Sequence, residues 1–365
     1  MASENRFYAE LLSSYEADIL SFLRTFETIQ ENLKIGEVRP SQAELVAATG
    51  DLFRRFNADF APPTPPEDRT EFHQNFVIAI AHLERSFNLF MTAPGQNWTL
   101  MFLHSRSSLV RGLYVLYDMR AALPTIARYF AIEGAAIAAD QSADGNNGVA
   151  AVGFTHRERD GKRGEYSLYV PENYSPGGQW PLIICLHGGY GQGNEYIWTW
   201  LRAARTKGYI VLSPKSIGET WSMTMNSYDT RSVMLMLDEV AEKYAIDRSR
   251  IYLTGLSDGG IFTYIMGLER HEIFTGLAPV AGALHMAADP MLRTGTGREL
   301  PIFVIHGVHD FIFPVTFTRQ TNELLKTLKY NVKYEELPDW GHAFTYSINE
   351  RLVMPWFESL PPRTE

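Results

Sequence analysis

The sequence has very little cysteine and no long apolar run. Cys185 is the single cysteine among 365 residues, so an internal disulfide and redox chemistry by paired thiols are excluded. No stretch reaches the roughly 18 apolar residues that a membrane-spanning helix needs. The first twenty residues mix acidic with apolar side chains and lack the apolar core of a secretory signal. We therefore expect a cytoplasmic protein, and a secreted form whose signal has been removed stays open.

Positive charge is also scarce. The chain has 33 Lys and Arg against 42 Asp and Glu, a formal net charge of −9, which disfavours a nucleic-acid surface because such surfaces need clustered cations. Its ten histidines form no recognisable metal-ligand spacing, and its Gly-rich loop at 187–191 lacks the Lys-Ser/Thr ending of a phosphate-binding loop. We predict an enzyme that uses neither metal nor cofactor.

The length exceeds what one hydrophobic core usually supports, which favours two folding units. Residues 1–135 have apolar side chains at spacings of three and four, typical of amphipathic helices. Ser41 and Glu44 have the spacing of a capping box and predict the start of a second helix there. Small and polar residues at 136–148 predict a linker. We expect an N-terminal all-helical domain at 1–135 and a catalytic domain at 149–365.

The second half alternates short β-rich runs with helical patterns, which predicts an α/β fold with a mostly parallel central sheet flanked by helices. The predicted strands are 166–170, 182–186, 209–213, 251–254, 276–280, 302–305 and 333–337.

The strongest chemical signal follows the strand at 251–254. Gly255-Leu256-Ser257-Asp258-Gly259 has the G-x-S-x-G pattern, and a helical run begins soon after it. Strand, pattern and helix together predict a nucleophile elbow, a tight turn whose glycines let strand and helix approach and whose serine hydroxyl is exposed. Ser257 is the predicted nucleophile.

The predicted catalytic partners of Ser257 come later in the chain. The order Ser, Asp, His is typical of folds that contain a nucleophile elbow. Asp310 lies on a loop after an apolar strand, and His342 lies on a loop after the apparent last strand. His342 would remove the serine proton, and Asp310 would orient the imidazole. Asp339 is an alternative acid, but it lies only three residues before His342. We interpret His306 and His309 as residues that shape the acid turn.

An oxyanion needs preorganised N–H donors. The loop 186–191 follows a strand, so the predicted donors are the backbone N–H groups of Gly189 and Asp258, with Tyr190 as the alternative. Aromatic residues on the loops after the strands predict a ligand pocket, in which Tyr190 and Trp221 are the expected substrate contacts.

Residues 150–360 resemble the phospholipase/carboxylesterase group of α/β-hydrolases and its feruloyl esterase and polyhydroxybutyrate depolymerase relatives. The resemblance rests on Tyr169-Val170-Pro171, Leu186-His187-Gly188-Gly189, the segment 247–260, Asp310 and His342. It implies a serine esterase that cleaves small-molecule or polymeric esters through an acyl-enzyme. The resemblance does not extend to residues 1–135.

Two other activities are compatible with these residues. The Gly260 position and the acid loop 306–314 are also similar to prolyl-oligopeptidase-type peptidases, and a helical segment before this fold is similar to certain carbon–carbon bond hydrolases. A binding protein without activity is disfavoured because the predicted triad is complete.

The N-terminal helices carry broad apolar faces, so we expect that domain to serve as a cap beside the active site or as a homo-oligomer interface.

Overall fold

A computed structural model describes residues 2–34, 37–62, 64–92, 95, 97–135, 151–159 and 164–364. The contacts within the chain divide it into two units, residues 1–133 and 134–365. The predicted linker at 136–148 lies outside the described residues.

The first unit is helical throughout its described part. Its α-helices are α1 (Ala2–Asn32), α2 (Val38–Thr49), α3 (Leu52–Arg55), α4 (Thr70–Phe90), α5 (Trp98–Asp118) and α6 (Pro124–Ala127). A π-helical turn (Phe56–Phe60) and 3₁₀ turns (Glu67–Arg69, Arg120–Ala122, Arg128–Phe130) connect or extend them. The capping-box prediction was wrong, because α2 begins at Val38 and includes Ser41 in its second turn.

The core of the first unit is aromatic. Tyr15, Phe22 and Phe26 of α1 are at most 1% exposed, and Phe22 and Tyr15 make edge-to-face contacts with Phe53 and Phe56. These side chains occur at helical spacing along α1, so one face of the helix is buried. The role predicted for this unit, as a cap or an oligomer interface, stays a prediction.

The second unit contains an eight-stranded sheet in the order β1-β2-β4-β3-β5-β6-β7-β8. The strands are β1 (Gly153–Arg157), β2 (Tyr166–Val170), β3 (Trp180–Leu186), β4 (Ile210–Pro214), β5 (Ile246–Leu256), β6 (Gly276–Val280), β7 (Ile302–Gly307) and β8 (Val332–Leu337). β2 is antiparallel to both of its neighbours, β1 and β4. The other six strands, β3 to β8, are mutually parallel. The predicted α/β fold class is confirmed, although the edge strand β1 was missed.

Helices connect and flank these strands. They are α7 (Gly193–Tyr196), α8 (Leu201–Lys207), α9 (Tyr228–Lys243), α10 (Asp258–Glu269), α11 (Asp289–Thr294), α12 (Val315–Thr327), α13 (Tyr346–Ile348) and α14 (Met354–Ser359). A π-helical turn (Asn349–Val353) and 3₁₀ turns (Ile197–Thr199, Met286–Ala288) complete the set. The Ser227 hydroxyl accepts a hydrogen bond from the Thr230 N–H and caps α9.

The central strands are buried on both faces, as a parallel sheet covered by helices requires. All residues of β6 and β7 are buried, and so are the last six residues of β5. Because the parallel strands share one direction, the loops after β3, β5, β6, β7 and β8 emerge at the same edge of the sheet. That edge carries every catalytic residue predicted from the sequence.

Candidate active site

Ser257 occupies a strained turn between β5 and α10. Its φ of 59° and ψ of −120° lie outside the regions that residues with a Cβ favour, at a cost of about 1–3 kcal/mol. The turn needs its two glycines, because an added Cβ would lie 2.4 Å from the Gly259 carbonyl carbon at Gly255 and 2.2 Å from the Leu186 oxygen at Gly259. The strand, the turn and the helix together form the geometry of a nucleophile elbow.

Asp310 is a buried carboxylate on the loop after β7. Its Oδ1 accepts hydrogen bonds from the N–H groups of Ile312 at 2.9 Å and Phe313 at 2.8 Å. Its Oδ2 lies 2.7 Å from Nδ1 of His342, and its side chain is 0% exposed. The two N–H donors and the imidazole offset the cost of burying this charge. A carboxylate oxygen in this position accepts a hydrogen bond from Nδ1–H, and in an imidazole with its proton on Nδ1 the lone pair lies on Nε2.

His342 lies on the loop after β8, and this loop is joined to the acid loop. The His309 N–H donates to the Trp340 oxygen at 3.0 Å, and a Cβ at Gly307 would lie 2.3 Å from that same oxygen. The Phe313 ring packs edge-on against the imidazole with a centroid separation of 5.7 Å. The loops that carry the acid and the histidine therefore hold each other in position.

The alternative acid, Asp339, is exposed. Ser257 lies on the same sheet edge as the Asp310–His342 pair, since its N–H donates to the Val280 oxygen at the end of β6. From there the Ala281 N–H donates to Ile305 in β7, so hydrogen bonds link the nucleophile turn to the strand before the acid loop.

His306 is buried at the end of β7, beneath the acid loop. Its Nε2 lies 2.7 Å from the Phe313 oxygen and its Nδ1 lies 2.9 Å from the Thr318 hydroxyl. Burial lowers the pKa of His306, against the opposing effect of the Phe313 hydrogen bond. A neutral imidazole with its proton on Nε2 donates to Phe313 and accepts from Thr318, so it anchors the acid loop to α12. His309 is exposed.

The loop after β3 packs directly against the nucleophile. An added Cβ at Gly188 would lie 3.3 Å from Cβ of Ser257, and one at Gly189 would lie 2.7 Å from Oδ2 of Asp258. The two predicted donors, the N–H groups of Gly189 and Asp258, thus belong to segments in contact beside Ser257. The Tyr190 N–H donates to the Glu219 oxygen at 2.9 Å. The alternative that Tyr190 supplies an oxyanion donor was therefore wrong, because its N–H already has an acceptor.

The two predicted substrate contacts have opposite surroundings. Tyr190 is 70% exposed, and its contact with substrate stays a prediction. Trp221 is only 2% exposed, and its ring stacks on Phe262 while its N–H donates to the His187 oxygen at 2.7 Å. The prediction for Trp221 was wrong, because the whole indole lies in the core and supports the loop after β3 from behind.

The sequence did not predict the contacts that hold the segment 216–222 beside the loop after β3. The Thr220 hydroxyl donates to Oδ2 of Asp258, and Asp229 accepts hydrogen bonds from the N–H groups of Ile217 and Ser222. Thr220 and Asp258 are 38 positions apart, so no local pattern signals their pairing.

The described residues contain no group of three or more His, Cys, Asp or Glu side chains placed to hold a metal ion. Within the same part of the chain, no helix is long and apolar enough to cross a membrane.

The sheet order, the strained serine after β5 and the Asp–His pair after β7 and β8 define the second unit as an α/β-hydrolase fold. Residues 218–352 match the phospholipase/carboxylesterase family, which confirms the resemblance seen in the sequence.

Known proteins similar to this chain include esterases and a depolymerase. It is 31% identical over 162 residues to a bifunctional acetylxylan esterase/xylanase of Neocallimastix patriciarum, covering 42% of this chain and 22% of that protein. It is 26% identical over 160 residues to feruloyl esterase C of Emericella nidulans, covering 41% and 56%. It is 30% identical over 128 residues to poly(3-hydroxyalkanoate) depolymerase C of Paucimonas lemoignei, covering 32% and 31%. The chain thus spans between about a fifth and just over half the length of these relatives.

Solved structures with a similar fold include a thermostable esterase, with a TM-score of 0.49 and 22% identity over 57% of this chain and 63% of that one. Another is the feruloyl esterase module of Clostridium thermocellum, with a TM-score of 0.48 and 17% identity over 64% and 97% of the two chains.

Proposed function

We propose that this protein is a serine hydrolase that cleaves carboxylic esters, with Ser257 as nucleophile, His342 as general base and acid, and Asp310 as the residue that orients His342. The observation that carries the proposal is the 2.7 Å contact between Asp310 and Nδ1 of His342 on the sheet edge where Ser257 sits in its strained turn. The family match and the esterases among its relatives favour an ester substrate.

The reaction proceeds in two halves. Nε2 of His342 takes the proton of Ser257 as its Oγ attacks the ester carbonyl carbon, and the oxyanion that forms accepts hydrogen bonds from the N–H groups of Gly189 and Asp258. The C–O bond to the alcohol then breaks, and His342 returns the proton to the leaving alcohol. Water, deprotonated by His342, attacks the carbonyl carbon of the resulting acyl-enzyme; the bond to Ser257 Oγ then breaks, His342 returns the proton to that oxygen, and the carboxylic acid is released. No metal or cofactor takes part in these steps.

The buried acid matches this cycle. When His342 takes the serine proton it becomes an imidazolium, and the adjacent Asp310 carboxylate stabilises that charge. Because Asp310 is also held by two backbone N–H groups, it keeps its orientation while the proton moves between Ser257 and substrate.

The test is a Ser257→Ala variant assayed for hydrolysis of p-nitrophenyl esters and for covalent labelling by a fluorophosphonate. We expect turnover to fall by roughly 10⁴-fold or more and labelling to disappear, because both need the activated hydroxyl. The matched control is Ser359→Ala, at an exposed serine at the end of α14. Undiminished labelling of the Ser257→Ala variant would assign the nucleophile to another residue.

The bond cleaved is tested with a substrate panel. We expect the wild-type protein to hydrolyse p-nitrophenyl and aryl esters much faster than an aminoacyl-p-nitroanilide or a β-diketone. A preference for the anilide or the diketone that Ser257→Ala abolishes would keep the nucleophile and replace the ester with a peptide or a carbon–carbon bond.

A further inference from the structure

A cavity opens at the opposite edge of the sheet from Ser257. It has a volume of about 510 Å³, within the range of ~300–1,000 Å³ common for small-ligand sites. Its walls come from the beginning of β3, the middle of β5, the residues before β4 and the end of α14. Tyr252 lies five residues before Ser257 along β5, a distance of about 17 Å in an extended strand. The cavity is therefore separate from the candidate active site.

Two buried phenols line this cavity. Tyr209 and Tyr252 are 5% and 1% exposed, and their ring centroids are 6.2 Å apart. Burial raises the pKa of Tyr252 to about 12, so its hydroxyl stays protonated. Among the residues that the structure describes, no hydrogen bond joins either hydroxyl to another side chain or to the backbone, and neither hydroxyl oxygen is one of the fully buried unpaired atoms. Both hydroxyl oxygens are therefore accessible from the cavity, where a ligand with groups that donate and accept hydrogen bonds can reach them.

The charged side chains of the cavity are already paired. Nε of Arg250 lies 2.6 Å from Oδ2 of Asp247, and Nζ of Lys207 lies 3.1 Å from Oε2 of Glu358. Each cation thus has its own carboxylate, and the two pairs carry no net charge. An anionic ligand would gain little here, because it would have to compete with Asp247 or Glu358 for its cation. The charges favour a neutral ligand.

An indole supplies an apolar wall. The Trp180 N–H donates to the Ser175 oxygen at 2.9 Å, which fixes the ring. Gly178 and Gly208 pack against it, since an added Cβ would lie 2.8 Å from Nε1 at Gly178 and 3.4 Å from Cζ3 at Gly208. An aromatic surface beside unpaired hydroxyls suits a ligand with one apolar and one polar face.

We infer that this cavity binds a neutral sugar residue of an oligosaccharide or polysaccharide. A pyranose ring has a C–H face that packs on Trp180, and its hydroxyl groups donate to and accept from the hydroxyls of Tyr209 and Tyr252. It carries no charge, which matches the paired state of Arg250 and Lys207. The inference does not depend on the proposed esterase activity, because no residue of the candidate active site contributes to the cavity.

The test is titration calorimetry of the full chain with xylotetraose, cellotetraose and mannotetraose. The variant is Tyr209→Phe with Tyr252→Phe, which removes both hydroxyls and keeps the rings. We expect at least one neutral tetrasaccharide to bind the wild-type protein and to bind this variant about tenfold more weakly, for two lost hydrogen bonds. The matched control is Tyr228→Phe, at a phenol that is 74% exposed at the start of α9. It should bind like the wild type.

Three results with the untreated protein would overturn the inference. The first is that no neutral tetrasaccharide binds at millimolar concentration. The second is equal binding by the wild type and the double variant, when thermal unfolding shows both to be folded. The third is tighter binding of tetragalacturonate than of every neutral tetrasaccharide.

Fluorophosphonate treatment of the wild type distinguishes the cavity from the active site. Binding that persists after this treatment would support a sugar site in the cavity, and loss of binding would assign the sugar to the active site.

Discussion

Nδ1 of His187 lies 2.7 Å from the carbonyl oxygen of its neighbour Gly188. The same oxygen accepts the Gly191 N–H at 3.0 Å, so two donors hold it. In a trans peptide unit the N–H points opposite to the C=O. The two bonds to Gly188 therefore orient the Gly189 N–H, one of the proposed oxyanion donors. Nε2 of His187 accepts the Ser216 N–H at 3.1 Å, and burial lowers the pKa of His187 to about 3, so the ring is neutral.

We expect His187→Leu to lower kcat with little change in KM, because the Gly189 N–H would lose its orientation toward charge that develops only in the transition state. The loss should stay below the roughly 10²–10³-fold that removal of an oxyanion donor costs. His187→Asn, whose amide also donates, should recover part of it. A raised KM with unchanged kcat in steady-state ester hydrolysis would contradict this role.

The acid of the proposed triad is tested by a pair of matched substitutions. Asp310→Asn should lower kcat by roughly 10⁴-fold, because the imidazole loses its charge partner and its correct tautomer. Asp339→Asn removes an exposed carboxylate three residues from His342 and should leave kcat within a few-fold of the wild type. If the two variants exchange these effects, Asp339 is the catalytic acid.

The close approach of Gly189 to Asp258 predicts coupling between these two residues. A Cβ at Gly189 would lie 2.7 Å from Oδ2 of Asp258, so Gly189→Ala should displace the oxyanion loop and lower kcat. In a Gly189→Ala, Asp258→Ala double variant the obstructing carboxylate is gone and its backbone N–H remains. We expect the double variant to recover part of the loss, measured as a double-mutant cycle on kcat/KM. Gly177→Ala, where a Cβ meets only Ser175 at 3.8 Å, is the control. Additive effects would show that the steric contact is not the cause.

Because two histidines are buried and neutral, we expect the free energy of unfolding to decrease in mild acid. Burial lowers the pKa of His187 to about 3 and also lowers that of His306, whereas an unfolded histidine titrates near 6.5. Below about pH 6.5 the unfolded chain binds protons that the folded chain does not. The free energy of unfolding should therefore fall as the pH drops from about 6.5 toward the folded pKa values, by up to about 1.4 kcal/mol per pH unit for each histidine.

Urea unfolding at pH 7.5, 6.0 and 5.0 measures this dependence. His187→Asn should reduce the slope between pH 6.0 and 5.0, and His271→Gln, at a histidine with a 43% exposed side chain, should not. A slope that is the same in all three proteins would show that His187 does not titrate on unfolding.

The nucleophile turn was predictable because its requirements are local. Gly255 and Gly259 are needed where a strand and a helix close within a few residues, and an apolar run before a helical pattern identifies that place. The edge strand β1 escaped prediction because its five residues, Gly153–Arg157, are only partly buried and show no clear alternation.

The sequence by itself determined the strand–turn–helix around Ser257, the order of Ser257, Asp310 and His342, and the alternation that produces a parallel sheet, since steric limits and periodicity act between near neighbours. Only the tertiary structure decided that Trp221 is buried, that the Tyr190 N–H is bonded to Glu219, and that His342 faces Asp310 while Asp339 is exposed. These outcomes depend on burial and hydrogen-bond partners contributed by segments far apart in the chain, which no local pattern specifies.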